Sequence, residues 1–146
     1  MPLSDTLLTT LFGNSNDIIK TAMEKLNLGA KKLGLHLTPG QLEQFDIYYQ
    51  ELLDWNQRLN LTAITGYEEV QVKHFLDSLT VTLAWQQPIS NTDFRLIDVG
   101  TGAGIPGIPL TTIVGGDHDG LKVVTKAGGF GGEEALVEII QQLKGE

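Results

Sequence analysis

The chain has 146 residues, 41% of them hydrophobic, and carries 10 Lys and Arg against 18 Asp and Glu, a net charge of −8. That length suits one domain or a small helical module plus half a domain, and the apolar content supplies a core. With no cysteine, a disulfide scaffold, a thiolate metal site and a cysteine nucleophile are excluded, which fits a reducing, cytoplasmic setting. The opening "MPLSDTLLTTLF" has neither a basic n-region nor a long apolar stretch, so no signal peptide is expected. No apolar run reaches the roughly 18 residues of a membrane span. The charge is uneven. Residues 1–39 carry four Lys against Asp5, Asp17 and Glu24, residues 40–115 three bases against nine acids, and the rest three bases against six acids. Such an acidic chain repels a phosphate backbone, so charge alone argues against autonomous nucleic-acid binding.

In chain order, the first forty residues read as helix. Ile18, Ile19, Ala22, Met23, Leu26 and Leu33 recur at helical spacing, with Ser15 or Asn16 as cap. In "LTPGQLEQFDIYYQELLDWNQRLNL", Thr38, Pro39 and Gln41 form an N-cap, a first-turn proline and the third member of a capping box. Leu42, Phe45, Tyr49, Leu52, Leu53 and Leu59 give that helix its stripe. A second box, Thr65 with Glu68, opens the next helix. On it, Val72, Phe75, Leu76 and Leu79 share one face and Lys73, His74, Asp77 and Ser78 the other.

After the polar linker "QQPISNTD", the run "FRLIDV" reads as a buried strand. A short helix from Pro106 to about Val114, a strand at "LKVVTK", a turn at "AGGFGG" and a closing helix with Leu136, Ile139, Ile140 and Leu143 on one stripe complete the chain. Glu133 and Glu134 suit the positive end of that last helix. The order is helices first, then β-α-β-α.

Between the first strand and its helix lies "LIDVGTGAGIPGIPL", with Asp98 followed by Gly100, Gly102 and Gly104. A sharp strand-to-helix turn needs glycine where φ is positive or where a ligand must reach the backbone. The helix start beyond it offers unpaired N–H groups to an anionic or polar ligand. The spacing is neither G-x-G-x-x-G nor a phosphate loop with Lys-Ser/Thr. It resembles the first motif of S-adenosylmethionine-dependent methyltransferases; a tight turn without ligand is the structural alternative.

Together, "LLDWNQRLNLTAI", "VKHFLDSL" and "LIDVGTGAGIPGIPL" resemble one family in order and spacing, from about Leu35 to Leu110. It is the small-subunit ribosomal RNA guanine-N7 methyltransferases, RsmG, formerly glucose-inhibited division protein B. The resemblance implies an α/β fold: an N-terminal helical region, residues 1–88, followed by a truncated Rossmann-like (class I methyltransferase) unit over 93–146. It implies S-adenosylmethionine as cofactor and methyl transfer to N7 of a guanine in 16S ribosomal RNA, free or in the small ribosomal subunit. By motif, Gly100 and Ile105 would contact the cofactor, Gly102 and Gly104 shape the loop, and Asp98 lie near the methionine amino group. Asn60, Leu61 and Thr62, with Lys73, His74, Asp77 and Ser78, would face cofactor or RNA. A solvated helix face with a Lys73–Asp77 pair is the alternative for the second group. A side chain holding the turn after its helix is the alternative for Asn60. Guanine N7 is already nucleophilic, so alignment rather than a general base is required and no catalytic acid or base is assigned.

From Thr111 onward the family pattern gives way. A methyltransferase sheet continues with a strand ending in an acid for the ribose hydroxyls, but "LKVVTK" ends at Lys126, and Asp117 and Asp119 sit in a turn. The tail "GLKVVTKAGGFGGEEALVEII" resembles the C-terminal end of four-carbon acid sugar kinases; a flexible turn is the alternative for "KAGGFGG". A two-stranded parallel sheet leaves its outer edges unpaired, which predicts self-association through an open edge. Three functional readings therefore stand: a working ribosomal RNA methyltransferase, a noncatalytic truncated or fused remnant of one, and a small nucleotide-binding module.

Overall fold

Thr38 starts the longest helix as its sequence requires. Its hydroxyl accepts from the Gln41 amide at 3.1 Å, the Gln41 side chain accepts from the Thr38 amide at 2.9 Å, and Pro39 occupies the first turn. The computed structural model describes residues 22–85, 95–99, 101–114, 121–124 and 132–145. Ser15, Asn16, Ile18 and Ile19 therefore lie outside the described residues. The elements are α1 (Glu24–Lys32), α2 (Pro39–Leu59), α3 (Tyr67–Val70), a π-helical segment (Gln71–Leu76), α4 (Asp77–Leu79), a 3-10 turn (Thr80–Ala84), β1 (Leu96–Val99), α5 (Gly107–Val114), β2 (Leu121–Val124) and α6 (Gly132–Lys144).

The strands β1 and β2 pair in parallel, Leu96 opposite Leu121 and Val99 opposite Val124, with α5 in the connection between them. Helix α2 lies against both α5 and α6, so one core joins the helical layer to the strand-loop-helix unit. Leu42, Phe45, Tyr48, Leu52 and Trp55 from α2 meet Phe75, Ile108, Leu110, Leu136 and Ile139 there. α5 is buried from Gly107 to Ile113, and its two polar side chains, Thr111 and Thr112, turn their hydroxyls back onto the Gly107 and Ile108 carbonyls. Two glutamines of α2 reach backbone carbonyls near the C-terminal ends of α5 and α6. Gln41 Nε2 donates to Thr112 O at 3.3 Å and Ile113 O at 3.2 Å, and Gln44 Nε2 donates to Leu143 O at 3.4 Å.

Four local expectations are corrected. The helical stripe read through Met23 is interrupted there: Met23 has φ 59°, α1 begins at Glu24, and the Met23 amide donates to the Tyr67 hydroxyl at 3.0 Å. The capping box at Thr65 does not form, because the cap is one residue later, at Gly66, with no side-chain bond, and Glu68 turns to Lys25 at 2.7 Å. The face assignment of the next helix shifts because Gln71–Leu76 is π-helical. Its wider turn inserts a residue into the repeat, leaving Val72 44% exposed while Gln71 and Ser78 are buried. Finally, β1 is covered on one face only. Asp98 points inward, whereas Ile97 and Val99 are 64% and 74% exposed, as the two-residue period of a strand dictates.

Candidate functional site: a glycine-rich strand-to-helix turn

The chain leaves β1 at Val99 and enters α5 at Gly107. Asp98, buried at the inward face of the strand, governs this turn. Its Oδ2 accepts the Thr101 hydroxyl at 2.7 Å and the Gly107 amide at 2.9 Å, so one carboxylate oxygen closes the loop and satisfies an amide at the start of α5. A negative charge there is also favoured by the helix dipole. Further bonds define the backbone: the Gly104 amide donates to Thr101 O at 3.3 Å, and the Ile108 amide donates to Gly104 O at 2.8 Å. The Ile105–Pro106 peptide is cis, with Ile105 half-buried.

The two described glycines do different work. Gly102 has φ 59° and is exposed, and a Cβ built on it would meet nothing within 4 Å. Gly104 has φ 90°, and a Cβ there would lie 2.5 Å from Ile108 Cδ1 and 3.0 Å from both Leu136 Cδ2 and the Tyr48 hydroxyl. Gly104 thus lets the loop sit down on the core, and Gly102 is where the backbone lies open to an approaching molecule. Gly100, the remaining glycine of the motif, lies outside the described residues, as do Asp117, Asp119, Lys126 and residues 127–131 of the "AGGFGG" turn.

Below the loop stands Tyr48, which the sequence reading left off the α2 stripe. It is fully buried, its ring stacks on Phe75 with centroids 5.1 Å apart, and its hydroxyl donates to the Ala103 carbonyl. Phe75 in turn meets Phe45 at 5.1 Å. Burial, and then the charge of Asp98, push the Tyr48 phenol far above the ordinary tyrosine range, so it remains a protonated donor. Its spacing, three residues from Phe45 and four from Leu52, was the available signal.

The second group of candidates gathers at the other end of α2. Asn60 ends that helix with φ 47° and is exposed, a left-handed position that asparagine tolerates better than most residues. Asn56, one turn earlier, accepts the Thr62 amide at 2.8 Å, and the Thr62 hydroxyl lies 2.7 Å from His74 Nε2. The half-buried imidazole has its pKa lowered, chiefly by desolvation. The Ser78 hydroxyl donates to the His74 carbonyl, so Ser78 is engaged within the helix. Asp77 is exposed, and Lys73 pairs with Glu69 rather than Asp77. Lys73 also lines a 540 Å³ groove with Lys25, Tyr67 and Val72, and both of its lysines are already ion-paired. The structure therefore forms two separate hydrogen-bonded sets, Asn56, Thr62 and His74 in one and Asp98, Thr101, Gly104 and Gly107 in the other, with Gly102 in the loop of the second.

Among the described residues, no cluster of three or more His, Asp or Glu could hold a metal ion, and no helix is long and apolar enough to cross a membrane. Comparison with known proteins places the chain. The family model for rRNA small subunit methyltransferase G, GidB, matches residues 41–118, extending past the break expected near residue 110. Ribosomal RNA small subunit methyltransferase G of Dehalococcoides mccartyi is 48% identical over 104 residues, 71% of this chain and 43% of that protein. The protein of the same name from Lachnoclostridium phytofermentans is 56% identical over 82 residues, 56% of this chain and 33% of that one. In Pelotomaculum thermopropionicum the identity is 52% over 87 residues, 60% of this chain and 35% of its relative. The matched part of the chain thus spans less than half the length of these curated relatives. With the match running over more than half of the chain, from Gln41 in α2 through β1, the glycine turn and α5, the chain belongs to the rRNA small subunit methyltransferase G family.

Proposed function

We propose that the chain carries the cofactor-binding front of an S-adenosylmethionine-dependent methyltransferase that modifies N7 of a guanine in 16S ribosomal RNA. The observation that carries this reading is the turn itself: a β1-to-α5 crossing, held by Asp98, whose backbone lies open at Gly102 and is braced at Gly104. A molecule that needs close approach to backbone amides fits that surface, because among the described residues, its two chain neighbours aside, nothing stands within 4 Å of where a Gly102 Cβ would be. On this reading Gly100 and Gly102 hold the methionine and ribose end of the cofactor, Ile105 contacts it, and Asp98 fixes the loop beside the amino group. When bound, adenosylmethionine supplies an electrophilic methyl group to the lone pair of guanine N7. This chain's residues bind and orient; no proton need be removed from N7 before it attacks. Asn60, Thr62, Lys73, His74 and Asp77 are assigned to the side facing cofactor or RNA, whereas Ser78, buried and bonded to the His74 carbonyl, supports the helix from within.

The finer fold assignment belongs to the same proposal. The helical region over 1–88 and the unit over 93–146 correspond to the helical cap and the first β-α-β of a class I methyltransferase sheet. The test is transfer of labelled methyl groups from adenosylmethionine to small ribosomal subunits that lack the modification. Label in 16S RNA at guanine N7 supports a working enzyme. Absence of label together with retained cofactor binding leaves the binding reading and identifies the chain as a noncatalytic relative.

A further inference from the structure

We propose that Tyr48 is a positioning residue for the glycine turn: from α2 it fixes the Ala103 carbonyl, and with it the backbone that the cofactor must meet. The inference rests on the reading of that turn as the cofactor site. Three observations carry it. The Tyr48 hydroxyl donates to Ala103 O, in the loop between Thr101 and Gly104. The same hydroxyl would stand 3.0 Å from a Cβ on Gly104, so it occupies the space that glycine leaves. The ring is fully buried and stacked on Phe75, leaving the hydroxyl little freedom to follow a displaced loop. The loop is thereby referenced to the helical layer, and a change in how α2 and the π-helical segment pack would reach the site through one phenol.

The experiment uses the full chain as wild type, Tyr48→Phe and Leu26→Ala. The first variant keeps the ring on Phe75 and removes only the donor. The second truncates a buried residue of α1 and serves as a control for general destabilisation. Hydrogen exchange of the Gly104, Gly107 and Ile108 amides is compared with that of the α1 amides, and S-adenosylmethionine is titrated into each protein. Tyr48→Phe should raise loop exchange relative to α1 about tenfold and weaken cofactor affinity about tenfold, the size of one lost hydrogen bond to a buried acceptor. Leu26→Ala should show no such selectivity for the loop. Loop exchange that rises no more than exchange elsewhere overturns the proposal, as does unchanged affinity. If the wild-type chain takes up no adenosylmethionine, the cofactor reading fails instead, and the exchange ratio alone decides whether Tyr48 positions the loop.

Discussion

Replacing each of the two described loop glycines by alanine separates backbone strain from packing. At Gly102, φ is 59° and the space where a Cβ would go is open, so Gly102→Ala meets only the left-handed backbone cost of about 1 kcal/mol. At Gly104, φ is 90° and the new methyl would stand 2.5 Å from Ile108 Cδ1. Ile108 and Leu136 are both buried, and the Tyr48 hydroxyl is tied to Ala103, so no neighbour can move aside without disturbing the core. Overpacking of that kind costs about 1–3 kcal/mol, and the backbone adds about 1–2, giving about 2–5 kcal/mol in all. With a urea slope of about 2 kcal/mol/M, Gly104→Ala moves the unfolding midpoint down by about 1–2.5 M and Gly102→Ala by about 0.5 M. Equilibrium unfolding followed by circular dichroism measures both. Equal midpoints for the two variants, or a larger loss at Gly102, would refute the argument.

Asp98→Ala strands the Thr101 hydroxyl and the Gly107 amide, both buried, and should cost about 3 kcal/mol in thermal unfolding; Asp98→Asn keeps one acceptor oxygen and should lose less than half of that. Gln41→Ala removes both the capping-box return bond and the link to the Thr112 and Ile113 carbonyls, for an expected loss of about 1–2 kcal/mol by urea denaturation. His74 has a folded pKa below its unfolded value of about 6.5. The unfolded chain therefore takes the proton first, and stability falls as pH drops through about 6.5 toward the lower folded pKa. Unfolding midpoints across pH 5–8 should show that slope reduced in His74→Gln.

The parts of the molecule built by local rules were legible in the sequence. Thr38, Pro39 and Gln41 announce α2 because a cap needs only its own first turn. The α6 stripe of Leu136, Ile139 and Leu143 likewise follows from a 3.6-residue repeat. What escaped depends on partners distant in sequence. The π-helical turn at Gln71–Leu76 cannot be read from spacing, yet it buries Gln71, whose Oε1 accepts the Leu26 amide at 3.1 Å across 45 positions. The exposed Ile97 and Val99 belong to an apolar run that reads as fully buried, because a run cannot say whether one sheet face or both are covered. At the site, the motif marked Asp98 and the glycines but not their division of labour. Only the neighbours of Gly104 distinguish a glycine that fits the core from one, Gly102, that faces open space.

The central claim, that the turn from β1 into α5 receives S-adenosylmethionine, is tested most directly by calorimetric titration of the purified chain with that compound. The account predicts saturable binding in the micromolar range, weakened by a side chain added at Gly102. Absence of heat at millimolar concentration, with the chain folded, would contradict it.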